Sequence, residues 1–312
     1  MMAALDRLAP GLTRIAAAAF VAMTLAACER PRSIDSAAAG TLSLAEAMSP
    51  GATEGFLRAE EPIAIELPRD HGPHPGFQTE WWYIVGNLQA GDRRFGYQVT
   101  FFRSALRPPQ ETGSDSPWSA DDVFMAHFAL TDVEAGRFHA AERFSRAALG
   151  LAGARGEPFA VWLDDWRLEG RGESGTRLRL QAAEPDFGVE LTLETDKPMV
   201  LQGDRGLSRK GAQPGNASCY YSLTRLATRG IVRLGEVELQ VEGDSWMDRE
   251  WSTSALEAGQ VGWDWFALQL SDGRELMVYR MRRTGDETDP HSSGVIVEAD
   301  GAYRRLGVTD FE

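Results

Sequence analysis

Thr79-Glu80-Trp81-Trp82-Tyr83-Ile84-Val85-Gly86-Asn87-Leu88, then Ala90-Gly91-Asp92, then Phe95-Gly96-Tyr97-Gln98-Val99-Thr100-Phe101-Phe102-Arg103 is the stretch on which the fold turns. In the last piece Phe95, Tyr97, Val99 and Phe101 share one face of an extended chain, while Gly96, Gln98, Thr100 and Phe102 share the other. Ala90-Gly91-Asp92 supplies turn chemistry between this strand and the preceding run, so the pair reads as a hairpin. The same period of two recurs at Phe124 to Thr131, Val161 to Leu168, Leu178 to Ala182 and Phe187 to Glu194. After a Gly-rich break from Gly203 to Asn216 it returns at Cys219 to Arg225, Gly235 to Glu242, Trp263 to Leu270, Glu275 to Arg282 and Val295 to Ala299. No segment beyond Pro68 sustains a helical period of apolar residues. The class is therefore all-β, as barrels or a sandwich, with a domain boundary expected at the break: residues 69–205 before it and 216–312 after it.

The chain has 312 residues, 43% hydrophobic and 25% charged, which excludes a disordered or collagen-like protein. A net charge of -14 argues against gripping nucleic-acid phosphates, and no nucleic-acid partner is expected. Arg7 and Arg14 precede an uncharged, Ala-rich run from Ile15 to Ala27, too short to span a bilayer and suited to a signal peptide. It ends in Leu25-Ala26-Ala27-Cys28, which resembles a bacterial lipobox. The expectation is a signal peptide at 1–27, lipidation of Cys28 and a tether at 28–68 carrying one short helix around Leu42 to Met48. That would place the protein in the bacterial cell envelope, on the membrane through its lipid. Cys219, the other of two cysteines, reads as a small core hydrophobe.

Nine tryptophans concentrate beside acids. Trp81 and Trp82 must face opposite sides of the sheet, so one can enter a cavity while the other does not. In Gly243-Asp244-Ser245-Trp246-Met247-Asp248-Arg249-Glu250-Trp251-Ser252, an extended chain puts Trp246, Asp248 and Glu250 on one face and Met247, Arg249 and Trp251 on the other. A carboxyl in an aromatic pocket has its pKa raised and can donate a proton. The same acids could instead pair with Arg103 or Arg249 to close a barrel end. His127 is a candidate proton carrier or a core histidine held by one hydrogen bond. Trp263, Trp265 and Tyr279 supply aromatic walls, and Asp264 reads as a turn cap or a further cavity acid. His71 and His74 sit in a proline-fixed loop without ligand spacing, so no metal is expected; no nucleotide loop is present, and no cofactor is called for. Of the basic residues only Lys197 and Lys210 are lysines, from which no function is drawn.

Taken together, Thr79-Glu80-Trp81-Trp82-Tyr83, Gly96 to Arg103, His127-Phe128-Ala129-Leu130-Thr131-Asp132, Tyr220-Tyr221-Ser222 with Thr224-Arg225-Leu226, and Trp246-Met247-Asp248-Arg249-Glu250-Trp251 resemble the AttH-like family, which includes the carotenoid 1,2-hydratases (hydroxyneurosporene synthases). The resemblance implies two lipocalin-like antiparallel β-barrels. The second continues further in the family, so here it is incomplete or closes differently. It also implies a long apolar ligand, carotenoid or lipid-like. Hydration of its double bond would use Asp248, Glu250 or His127 as proton carriers. Trp82, Trp246, Trp251, Trp263, Tyr279 and Arg249 would line the ligand site. Arg249 stands where the hydratase branch carries a histidine; it can hold a carboxyl but cannot shuttle protons at neutral pH. A non-catalytic carrier and a hydrolase of lipid-like substrates are the competing readings; the latter lacks a Gly-x-Ser-x-Gly elbow.

Overall fold

In the computed structural model the described residues are 53–311, without 110–115, 117, 173, 254–255 and 286. The expected signal peptide, Cys28 and the helix at 42–48 lie outside them.

Seventeen strands form among the described residues. They are β1 (Thr79–Ala90), β2 (Arg93–Ala105), β3 (Asp122–Asp132), β4 (Arg137–Arg146), β5 (Ala152–Arg155), β6 (Ala160–Leu163), β7 (Trp166–Gly170), β8 (Arg177–Ala183), β9 (Phe187–Glu194), β10 (Val200–Leu201), β11 (Leu207–Arg209), β12 (Ala217–Leu234), β13 (Val237–Ser252), β14 (Gln260–Gln269), β15 (Glu275–Arg283), β16 (Ser293–Val297) and β17 (Tyr303–Gly307). The expected first hairpin is β1–β2, closed by Gly91 and Asp92 between paired Ala90 and Arg93, with Gly91 at φ 59°.

A 13-stranded antiparallel sheet runs β4-β3-β2-β1-β13-β12-β9-β8-β7-β6-β5, with β10 and β11 added along β12. Its two ends return to each other where β3 and β4 meet β5 and β6, so it forms a nearly closed, lipocalin-like barrel. Trp82, Ile84, Val99, Phe101, Phe128, Trp166, Leu180, Leu191 and Met247 fill the interior. A second sheet, β14-β15-β16-β17, has four strands.

The break at 203–216 does not separate the two sheets. It carries β11, and β12 and β13 beyond it pair with β9 and β1. The reason is the β12–β13 hairpin, whose strands of 18 and 16 residues reach across the barrel. The smaller sheet starts only at Gln260. Val161 to Leu168 is likewise two strands, turned at Asp164 with φ 54°.

Close approach decides one glycine. A Cβ on Gly243 would lie 2.0 Å from the Asn87 carbonyl oxygen on the paired strand. Gly243→Ala must therefore spread β1 from β13, and is expected to lower the stability by about 1–3 kcal/mol, the usual cost of overpacking. Urea unfolding checks it, and an unchanged midpoint would show that the strands adapt freely.

Candidate functional site

Strand register places the site. β12, β13, β1, β2 and β3 lie side by side, so residues of one parity form rows on the barrel's outer face. One row runs Tyr220, Glu250, Trp81, Phe102; the next runs Ser222, Asp248, Tyr83, Thr100, His127. The smaller sheet covers these rows with Trp263 and Trp265 of β14 and Tyr279 and Met281 of β15. A cavity of about 370 Å³ remains between the two sheets. It lies outside the barrel, whose own interior is packed with side chains.

Asp248 is 4% exposed on the cavity floor. Its Oδ1 accepts hydrogen bonds from Ser222 Oγ at 2.6 Å and from Trp246 Nε1 at 2.7 Å. These donors favour the charged form, but burial outweighs them and pushes the carboxyl up to about 6. Glu250 is held differently. Its Oε1 accepts from Ser218 Oγ and pairs with Lys210 Nζ at 3.1 Å. The ammonium lies 4.5 Å from the Tyr279 ring centroid and 5.2 Å from that of Tyr220. Burial opposes the Lys210 charge, yet Glu250 and the neighbouring groups hold it above the usual lysine range. Two acids on one face thus have two environments, an aromatic and hydroxyl shell for Asp248 and a lysine for Glu250.

Asp248, Glu250, Trp263 and Tyr279 line the cavity. Trp246 lies on the same face, but among the residues packed beneath, where its indole holds Asp248. His127 reaches the cavity edge and pairs with Glu142 Oε2 at 2.8 Å. Three strand spacings, about 14 Å of backbone, separate it from Asp248, too far for direct proton exchange. Trp82, Trp251 and Arg249 have the opposite parity and do not reach the cavity; this corrects their expected place in the ligand site. They turn inward to a buried polar network. Arg249 pairs with Glu80 Oε2 and donates to the Gly72 carbonyl at 2.6 Å, with its guanidinium 4.0 Å from the Trp82 ring. Arg103 takes the other Glu80 oxygen at 2.8 Å. The two arginines that could have tied up Asp248 and Glu250 are therefore committed to Glu80.

In the same network His71 is fully buried. Its Nε2–H donates to the Gly175 carbonyl at 2.6 Å and its Nδ1 accepts from Tyr221 Oη at 2.6 Å. Burial lowers this imidazole to about 4, so it stays neutral. Asp264 faces away from the cavity, 3.6 Å from Arg282. Cys219 is 2% exposed, and burial pushes its thiol up to about 12, which leaves it inert.

Sequence reasoning missed Trp81, Tyr83, Tyr220, Ser218 and Lys210. The first three lie on β1 and β12, and only the register of those strands against β13 brings them beside Asp248 and Glu250. The scarcity of lysine carried a signal as well: Lys197 pairs with buried Glu275 at 2.8 Å, and Lys210 with Glu250.

A family model described as AttH-like matches residues 58–312. A crystal structure from Nitrosomonas europaea, described as an AttH candidate, is 33% identical, covering 81% of this chain and 75% of that one with a TM-score of 0.71. Kievitone hydratase from Nectria haematococca superposes with a TM-score of 0.57 at 15% identity, covering 81% and 73%, a likeness of fold. No curated protein sequence matches the chain.

Proposed function

Since the chain belongs to the AttH-like family, we propose that its inter-sheet cavity binds the end of a long apolar, isoprenoid-like ligand and hydrates a carbon–carbon double bond there. One observation carries this reading: Asp248, a carboxyl raised to about 6 by burial, on the floor of an aromatic cavity. The name of kievitone hydratase, which shares this fold, supports the reading, with Asp248 as the proposed proton donor.

Protonated Asp248 gives its proton to the less substituted alkene carbon, and the positive charge develops on the other. The faces of Trp81 and Trp263 stabilise that cation. Water adds to it and returns a proton to the Asp248 carboxylate, so alkene and water become alcohol and the acid is regenerated. Lys210 occupies Glu250, which leaves Asp248 as the donor.

Cys28 is proposed as the lipid anchor and residues 28–68 as the tether, which would hold this site at the envelope membrane. Loss of lipid labelling in Cys28→Ser checks the anchor. For the chemistry, the purified protein is incubated with neurosporene or lycopene and the products are weighed by mass spectrometry. A gain of one water per ligand is expected; binding without that gain would make the protein a carrier.

A further inference from the structure

The cavity has two unlike surfaces. Trp263, Trp265 and Met281 make the covering side apolar, whereas the barrel side presents hydroxyls and carboxyls in ordered rows. A pure hydrocarbon would match the first and leave the second unanswered. Each polar group it dries without a partner costs about 1–3 kcal/mol.

Two of the atoms on that polar side are placed to meet a ligand hydroxyl. Tyr83 packs its ring edge-on to Trp265 with centroids 5.2 Å apart, and its hydroxyl makes no hydrogen bond among the described residues. Burial, and Asp248 beside it, keep the phenol protonated, so it remains a donor. Glu250 takes Ser218 and Lys210 on Oε1, and no hydrogen bond among the described residues ends on Oε2. Lys210 approaches from the Oε1 side, together with the Ser218 hydroxyl. Tyr83 pairs directly with Asp248 across β1 and β13, and Glu250 stands two residues further along β13. Donor and acceptor are thus diagonal neighbours on one face, roughly 7–8 Å apart at the backbone, with Asp248 beside them.

We propose that the preferred ligand carries a hydroxyl close to its double bond, accepting from Tyr83 Oη and donating to Glu250 Oε2, so that an unsaturated alcohol binds more tightly than the corresponding hydrocarbon. The proposal rests on reading the cavity as the ligand site. It assigns Tyr83 and Glu250 to recognition, and Lys210 to positioning Glu250.

Farnesol and β-farnesene test it, because they share an isoprenoid skeleton and differ in the hydroxyl. Quenching of tryptophan fluorescence reads both affinities on the full chain, with near-ultraviolet circular dichroism as the check on folding. Farnesol is expected to bind about tenfold more tightly, the worth of one or two net hydrogen bonds. Tyr83→Phe and Glu250→Gln should each bring the ratio of the two affinities toward one. Lys210→Met, which removes the ammonium holding Glu250 Oε1, should lower the ratio as well with the circular dichroism unchanged, an outcome that a merely structural role would not produce. Equal affinities in the wild type, or a preference that survives Tyr83→Phe, would overturn the proposal, as would failure of both ligands to bind. Hydrated farnesene with equal affinities would retain the hydratase reading and remove this one. A preference for farnesol without product would do the reverse.

Discussion

Glu80→Gln is expected to destabilise the folded chain by about 3–5 kcal/mol, the largest stability effect of any single substitution in the polar network, read as a fall in the urea midpoint. Glu80 is 1% exposed and shares its two oxygens between Arg249, itself fully buried, and Arg103. An amide keeps the shape but not the charge, so Arg249 loses its counter-ion away from water, while Arg103 keeps Asp122 at 2.8 Å. Arg249→Met should cost less, because Glu80 keeps Arg103. A loss below about 1 kcal/mol for Glu80→Gln would mean that water enters the network.

The network also sets an acid limit. Burial opposes the Glu80 charge, but Arg249, His74 and Arg103 hold its carboxyl well below the usual range. The stability it contributes is present above the normal glutamate pKa and is lost as pH falls below it. His71 adds to the loss in the same direction: it is neutral in the fold and ordinary when unfolded, so stability declines as pH falls from 6.5 toward 4.

Asp248→Asn is the second large expectation, a fall in hydration rate of about 10²–10⁴-fold. Wild-type activity should decline as pH rises through about 6, where the donor loses its proton. The effect on stability has the opposite sign from that of Glu80. The Asp248 carboxyl is raised in the fold, so its favourable contribution is present below the unfolded value of 3.8 and disappears as pH rises through about 6. Asparagine stays neutral throughout. The variant should therefore gain on the wild type between pH 4 and 7, by about 3 kcal/mol for a shift of this size. Parallel urea titrations at the two pH values measure it. A difference independent of pH would show that Asp248 is not a desolvated acid, and full turnover in the variant would remove it as the donor.

The environment of these groups was only partly legible beforehand. Alternation put Asp248 and Glu250 beside Trp246 and set Arg249 and Trp251 opposite, and the register bears that out. It could not say which face met the cavity. From Ser245 to Ser252 every residue of β13 is buried, because the barrel interior lies on one side and the smaller sheet on the other. With both faces covered, hydropathy carries no sign; Trp82, Trp251 and Arg249, which the resemblance implied for the ligand site, lie on the surface away from the cavity. The neighbouring pair Trp81 and Trp82 is the clearest instance, with one indole on the cavity and the other in the core.

Local chemistry in the sequence determined many of the strands, though not β4 or β5, together with the first hairpin, the all-β class and the acid–tryptophan segment, since a two-residue period and a Gly91 turn act over short distances. Tertiary structure alone decided that β12 and β13 complete the first barrel, that the cavity lies between sheets, and that Lys210 reaches Glu250 from 40 residues away along the chain. Those are encounters between distant segments, set by how whole faces are covered, and no periodicity within one strand records its neighbour.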